Sequence, residues 1–254
     1  MTRKCQAITA AFIACASCAC PAAAFAQNAA APRGPVATSP ATMPAAVPAS
    51  SPSTQPHSLV RRDTPINALI THAIAMSRGD AAVVRDSYLA NGPDETALVE
   101  AFAGMAEVIP RVRAAAERRY GKDGFTAIGF GAMIDEEVRR LSSAATKEEE
   151  SPEGRIATVV PPSQGQSWIA LIKNANTGGQ WKIWVARTFP INLRRRTDRL
   201  RAQTAAYEEL AREIDAGKYP LALDARMAGR QKVQAAHRKL DEQTPSPAGE
   251  PPKK

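Results

Sequence analysis

The chain has 254 residues and a formal net charge of +8, from 33 Lys and Arg against 25 Asp and Glu. Its four cysteines (Cys5, Cys15, Cys18, Cys20) all lie near the start, and its three histidines show no paired ligand spacing. These features argue against thiolate or zinc sites, and the lack of aromatic–basic interleaving argues against base stacking on nucleic acid.

Residues 1–26 begin with Arg3 and Lys4, continue through a short apolar run and end in Ala24-Phe25-Ala26. This is the pattern of a secretory leader with a small-x-small cleavage site before Gln27. It predicts an exported, periplasmic or secreted protein, free of thiols once all four cysteines are removed. An acylated cysteine is the alternative, although the residues before each cysteine fit a lipid-attachment box poorly. Loss of Arg3 and Lys4 lowers the charge from +8 to +6, since the leader holds no acid.

Residues 27–60 are mostly Ala, Pro, Ser and Thr, have little to bury, and read as a disordered tether. Residues 61–190 read as one α+β domain, 191–240 as a C-terminal helical extension, and 241–254 as a disordered tail. No later stretch is long and apolar enough to span a bilayer.

Thr64-Pro65 is a helix start: an N-cap hydroxyl, then proline at the first helical position. Ile66, Leu69, Ile70, Ala73 and Ile74 follow at helical spacing, and Gly79 ends the run. Asp80 caps a predicted second helix over Ala81–Leu89, broken by Asn91-Gly92-Pro93. A long helix opening at Asp94 or Thr96 carries one stripe from Leu98 through Phe102, Met105, Ile109, Val112 and Ala116 to Tyr120. Pro110 interrupts its hydrogen-bond ladder but not its periodicity. This predicts one kinked helix, curved to wrap a sheet.

Residues 124–131 read as irregular, and Ala132–Ser142 as a short amphipathic helix with Met133, Ile134, Val138 and Leu141 apolar. Lys147–Gly154 reads as a solvent-facing edge strand or a turn, and Arg155–Val160 as a strand ended by Pro161-Pro162. Gln166–Lys173 and Gln180–Thr188 are rich in Trp, Ile, Val and Leu and read as a hairpin around Asn174–Gly179. Trp168, Ala170 and Ile172 share one face of the first strand, opposite Ile169, Leu171 and Lys173. In the second, Trp181, Ile183, Val185 and Arg187 oppose Lys182, Trp184 and Ala186. Both faces are largely apolar, so one should pack on helices and the other line a cavity or meet a second layer. Helices over Thr197–Ala216 and Leu223–Leu240 close the chain. The fold class is therefore α+β, with helices packed on a curved antiparallel, cone-like sheet and additional C-terminal helices.

The Met76-Ser-Arg-Gly-Asp80 turn and the Gly179-Gln-Trp-Lys-Ile-Trp184 strand resemble those of the nuclear-transport-factor-2-like superfamily. This is the cone-shaped fold of polyketide cyclases and ketosteroid isomerase. The likeness covers about residues 64–189 and points to an uncharacterised exported bacterial subgroup. It implies helices wrapped on a curved sheet, with any ligand held in the cone. The long helix and the added C-terminal helices depart from the compact family pattern.

The family's enzymes place carboxylates, histidines or tyrosines in the cone, whereas residues 154–197 contain no Asp, Glu or His. The sheet thus supplies no general base of those types. Its candidate ligand-binding residues are Trp168, Lys173, Lys182, Trp184 and Arg187, with cations able to hold an anion. The plainer reading makes the tryptophans core and the cations solvated tips. His72 borders the apolar face of the first helix, where Asp80 or Asp86 would be the carboxylate partner of a base; a structural histidine is the plainer reading.

Basic clusters at Arg111–Lys122 and Arg194–Arg201 suit an anionic envelope polymer or lipid surface, or are simply a solvated basic face. The function expected is an exported, non-catalytic binding or scaffold domain needing no cofactor or metal. The alternatives are a cyclase- or isomerase-like enzyme and a binder of anionic envelope components. A homodimer is a further option.

Overall fold

The structure, a computed structural model, describes residues 60–161 and 168–243, apart from the side chains of residues 132–134. The leader, nearly all of the tether and most of the tail lie outside the described residues, as do the side chains of Met133 and Ile134.

Helix α1 (Pro65–Arg78) starts as its sequence dictates. The Thr64 side chain accepts a hydrogen bond from the Asn67 N–H, proline fills the first position, and Gly79 closes the helix at φ 81°. Helix α2 (Ala81–Asp86) is capped by Asp80, whose carboxylate accepts from the Val83 N–H. It stops three residues short of the expected Leu89. Tyr88–Leu89 forms a short strand, β1. The reason is tertiary: the Ser87 carbonyl accepts from the Ile183 N–H at 2.8 Å, and Tyr88 is buried in the core.

Helix α3 (Pro93–Tyr120) is continuous through Pro110, as expected. The proline faces the α1–α2 turn. A Cβ on Gly79 would stand 2.3 Å from Pro110 Cγ and 3.2 Å from the Ala106 carbonyl, the group that proline leaves without its usual i+4 donor. The stretch expected to be irregular is ordered. One helical turn, α4 (Gly124–Ala127), and a left-handed Gly129 lead into α5 (Phe130–Ser142).

The sheet follows as β2 (Ala145–Ser151), β3 (Gly154–Val160), β4 (Ile169–Lys173) and β5 (Lys182–Trp184). Its order is β1-β5-β4-β3-β2. The neighbours β2 to β5 are antiparallel, while β1 joins β5 in parallel, so the sheet is mixed. Strand β2 is charged and exposed at the sheet edge, which decides for the edge-strand reading over the turn, with the strand at Ala145–Ser151 rather than Lys147–Gly154. The β4–β5 loop takes positive φ at Gly178 (64°) and Gly179 (70°), as its composition requires.

The second hairpin strand is shorter than expected. After Trp184 the chain curls into a helical turn, α6 (Val185–Thr188). The Thr188 hydroxyl donates to the Ala170 carbonyl and accepts from the Ala170 N–H, both at 3.1 Å. One side chain thus serves the β4 main chain where β5 has ended.

Helices α7 (Leu193–Asp215) and α8 (Ala222–Gln243) complete the fold. Ion pairs Asp94–Arg194 (3.1 Å), Arg111–Glu208 (3.4 Å) and Arg118–Asp215 (2.8 Å) run in the same order along α3 and α7, so these two helices are parallel. Helix α8 returns antiparallel, with Lys232 on Glu209 (2.6 Å) and Arg199 on Asp241 (2.7 Å). Helix α3 therefore serves two cores. Its first half packs with α1, α2 and the sheet around Leu98, Phe102, Leu171 and Ile183. Its second half packs with α4, α7 and α8 around Val112, Ala116, Leu210 and Ile214.

Candidate functional site

Strand register sorts the expected site residues. Ala157, Leu171, Ile183 and Tyr88 stand in one cross-strand row, all buried in the core shared with the helices. The adjacent row, on the other face, is Glu149, Ile156, Ile172 and Lys182. Ile156, Ile172 and Ala170 are buried there too, at 2%, 1% and 0% exposure, so both faces of the sheet are apolar at their centre.

Lys182 and Trp184 lie on this second face, both half-buried. Arg187 joins them from α6, its guanidinium carbon 5.9 Å from the Trp184 ring centroid. Trp168, also half-buried, precedes β4 with the parity of Ala170. Lys173 does not belong to the group. It pairs in register with Arg155 on the opposite face. Three of the five residues are thus gathered, a fourth has the matching parity, and Lys173 is separated.

The gathered cations are engaged by acids from outside the acid-free stretch. The Lys182 ammonium lies 2.7 Å from Asp86, and Arg187 lies 3.1 Å from Glu149. Asp86 also receives Arg62, whose side chain is 2% exposed. The Arg62 guanidinium donates in addition to the carbonyls of Asp86 (3.1 Å) and Val83 (3.2 Å) and to Ser87 Oγ (3.4 Å). Burial would raise the Asp86 pKa, but hydrogen bonds from Lys182 and Arg62 outweigh it and hold the carboxyl below its usual range. Arg62 was not singled out by any motif. The parallel β1–β5 pairing brings α2 beside Lys182, and a two-residue strand leaves almost no sequence signal.

His72 and Tyr88 form a second polar centre, on the core side. Tyr88 Oη and His72 Nε2 are 3.2 Å apart, the rings meet edge to face, and Phe102 stacks on Tyr88 at 5.3 Å between centroids. Both residues are shut from solvent, at 3% and 7% exposure. Burial, with the Arg62 charge adding to it, holds the His72 pKa down to about 3, and burial pushes the Tyr88 hydroxyl well above its ordinary value. His72 is neutral through the physiological range. The carboxylates anticipated beside it are committed elsewhere: Asp80 caps α2, and Asp86 holds Arg62 and Lys182.

The two basic clusters are partly neutralised within the fold. Arg111 and Arg118 meet Glu208 and Asp215, Arg194 meets Asp94, and Arg195 and Arg199 share Asp241. Arg196 lies over the Phe189 ring, 5.3 Å from its centroid. A groove of about 670 Å³ runs between α7 and α8, floored by Ala202, Ala206, Ala235, Ala236 and Leu240. Among the described residues no group of three or more His, Cys, Asp or Glu is placed to hold a metal. No described helix is long and apolar enough to cross a membrane.

Comparison with known proteins finds no matching family model, no matching curated protein and no matching solved structure.

Proposed function

We propose that this chain is a non-catalytic binding or scaffold module, exported behind its leader and working through its surface rather than through an interior pocket. The observation that carries the reading is the filled junction between sheet and helices. Leu98, Phe102, Leu171 and Ile183 occupy it at 4% exposure or less. Its histidine is neutral, hydrogen-bonded to Tyr88 and sealed. A general base must come within hydrogen-bond reach of its substrate, and here no side of the His72 ring faces solvent.

The resemblance to the nuclear-transport-factor-2-like superfamily, in which a helix, a short helix and a long helix precede the sheet, is part of this proposal; here β1 and the helices α4 and α5 are added to that order. In that case this member has closed the cone that its enzymatic relatives keep open. The second sheet face, with Lys182, Trp184 and Arg187, then stiffens the wall through its ion pairs with Asp86 and Glu149.

Ligand titration followed by nuclear magnetic resonance tests the reading. A panel of small aromatic and anionic molecules should leave the His72 and Tyr88 resonances unmoved. A compound that shifts both saturably would overturn it. Export is tested separately by sequencing the N-terminus of the processed protein, which should begin at Gln27.

A further inference from the structure

Three large apolar side chains stand in solvent where α7 turns into α8. Leu221 is 63% exposed, Leu223 61% and Met227 48%. Helix α8 buries Ala225, Gly229 and Val233, and a Cβ on Gly229 would lie 2.9 Å from Leu210 of α7. Leu223 and Met227, four residues apart, project from the opposite side of that helix. Leu221 is fixed at the helix start, since its carbonyl accepts from the N–H groups of Asp224 (3.1 Å) and Ala225 (3.3 Å). Together the three residues expose about 300 Å², the lower end of the range for the largest apolar patch on an ordinary monomer.

The turn that presents them is rigid. Glu213 receives Lys218, Tyr219 and Lys232, and although burial would raise its pKa, those hydrogen bonds hold it down to about 2. The Tyr120 hydroxyl donates to the Tyr219 carbonyl at 3.0 Å, fastening the end of α3 to the turn. The patch is therefore not a frayed end.

Its surroundings are cationic. Residues 218–230 carry Lys218, Arg226 and Arg230 against Asp224, and with Lys218 held by Glu213 the positive excess falls to Arg226 and Arg230. Arg119, at the end of α3, lies against Gly217 at the turn. A second copy of the chain suits this patch poorly, because a two-fold contact would bring Arg226 and Arg230 of both copies into one interface, with Asp224 the only acid that residues 218–230 supply. An anionic bilayer suits it well. Leucine and methionine enter the boundary between headgroups and acyl chains, while arginine and lysine stay among the phosphates.

From this arrangement we infer that the α7–α8 turn is a lipid-contact site, which seats the domain on membranes bearing anionic headgroups. The inference rests on the surface-module reading above and names the surface it meets. It differs from the Arg194–Arg201 cluster, whose arginines are largely held by Asp94 and Asp241.

The test is co-sedimentation of the processed protein with vesicles. One set is phosphatidylglycerol and phosphatidylcholine in equal parts; the other is phosphatidylcholine alone. Binding should be confined to the anionic set and should weaken as salt rises. The triple variant Leu221→Ser, Leu223→Ser, Met227→Ser should bind about tenfold less or weaker, as should Arg226→Gln with Arg230→Gln. All five positions lie outside the buried core, and circular dichroism verifies that each variant stays folded. Failure of the parent protein to sediment, equal sedimentation with both vesicle sets, or undiminished binding by the triple variant would each overturn the inference. None of these results moves the His72 and Tyr88 resonances, so the non-catalytic reading stands or falls separately.

Discussion

The Arg62–Asp86–Lys182 cluster makes an unusual demand on mutagenesis. The two ends of its main ion pair differ in burial: the Arg62 side chain is 2% exposed, the Asp86 side chain 59%. Lys182, at 17%, shares the same carboxylate. Removing the exposed end leaves two mostly buried cations side by side without their anion. Removing the buried end leaves a carboxylate that already meets water and keeps Lys182. Arg62→Met retains the aliphatic stem and should cost about 1 kcal/mol, for hydrogen bonds to carbonyls of which Val83 keeps Ser87 as a donor. Asp86→Ala should cost about 3 kcal/mol, near the lower end for breaking a buried pair from one side, since Arg62 keeps the Val83 carbonyl. In melting temperature this is about 2–4 °C against 6–12 °C for a domain of this size. The double variant should cost less than the sum, because Asp86 then abandons only Lys182. Urea denaturation of the parent and the three variants reads all four values. If Arg62→Met destabilises as much as Asp86→Ala, the asymmetry argument is wrong; if both cost less than about 1 kcal/mol, the pair behaves as an ordinary surface bridge.

Three further expectations follow from the same structure. His72 titrates near 6.5 when unfolded and near 3 in the fold. The unfolded chain therefore binds the extra proton between those values, and stability falls as pH drops, by about 1.4 kcal/mol per unit below pH 6. Denaturation curves at pH 6 and 5 should show that slope in the parent and a clearly smaller one in His72→Gln, where His237, also held below its usual value by burial, still contributes; an unchanged slope would assign it to other groups. Gly79→Ala places a Cβ 2.3 Å from Pro110 Cγ at a φ of 81°, and should cost more than about 2 kcal/mol in a thermal melt, whereas a neutral result would mean the α1–α2 turn moves freely. Thr188→Val keeps the shape but leaves the Ala170 N–H and carbonyl without their partner, so a loss of about 2–3 kcal/mol is expected in urea denaturation; a variant as stable as the parent would show that the hydroxyl is dispensable.

Local signals carried much of this fold. Thr64-Pro65 and Gly79 bound α1 as written, Pro110 rides inside a single helix, and the glycines of the β4–β5 loop take the φ values their composition suggests. The misses share one cause, which is that a distant partner decides the local state. Tyr88-Leu89 continues a helical pattern until β5 captures it, and Val185–Thr188 reads as strand until the Thr188 hydroxyl takes over the ladder. The site was legible as two alternations but not as one surface. Parity separates Lys173 from Ile172 within β4, yet only the pairing of Ile172 with Lys182 decides that Ile172, and not Lys173, shares a face with Trp184. Asp86 and Lys182 are 96 residues apart, and no local pattern joins them.

The parallel course of α3 and α7 bears on how the chain reaches this state. Each ion pair between them closes a loop of 97 to 100 residues, and that loop contains the entire antiparallel part of the sheet. During synthesis the apolar seam of Val112, Ala115 and Ala116 must wait until α7 has been made. Loop closure of that length is slow relative to forming either helix or the hairpins. The sheet with α1 and the first half of α3 should therefore assemble first. The second half of α3 is then the stretch that a chaperone would meet bare, and docking of α7 should limit the rate of folding.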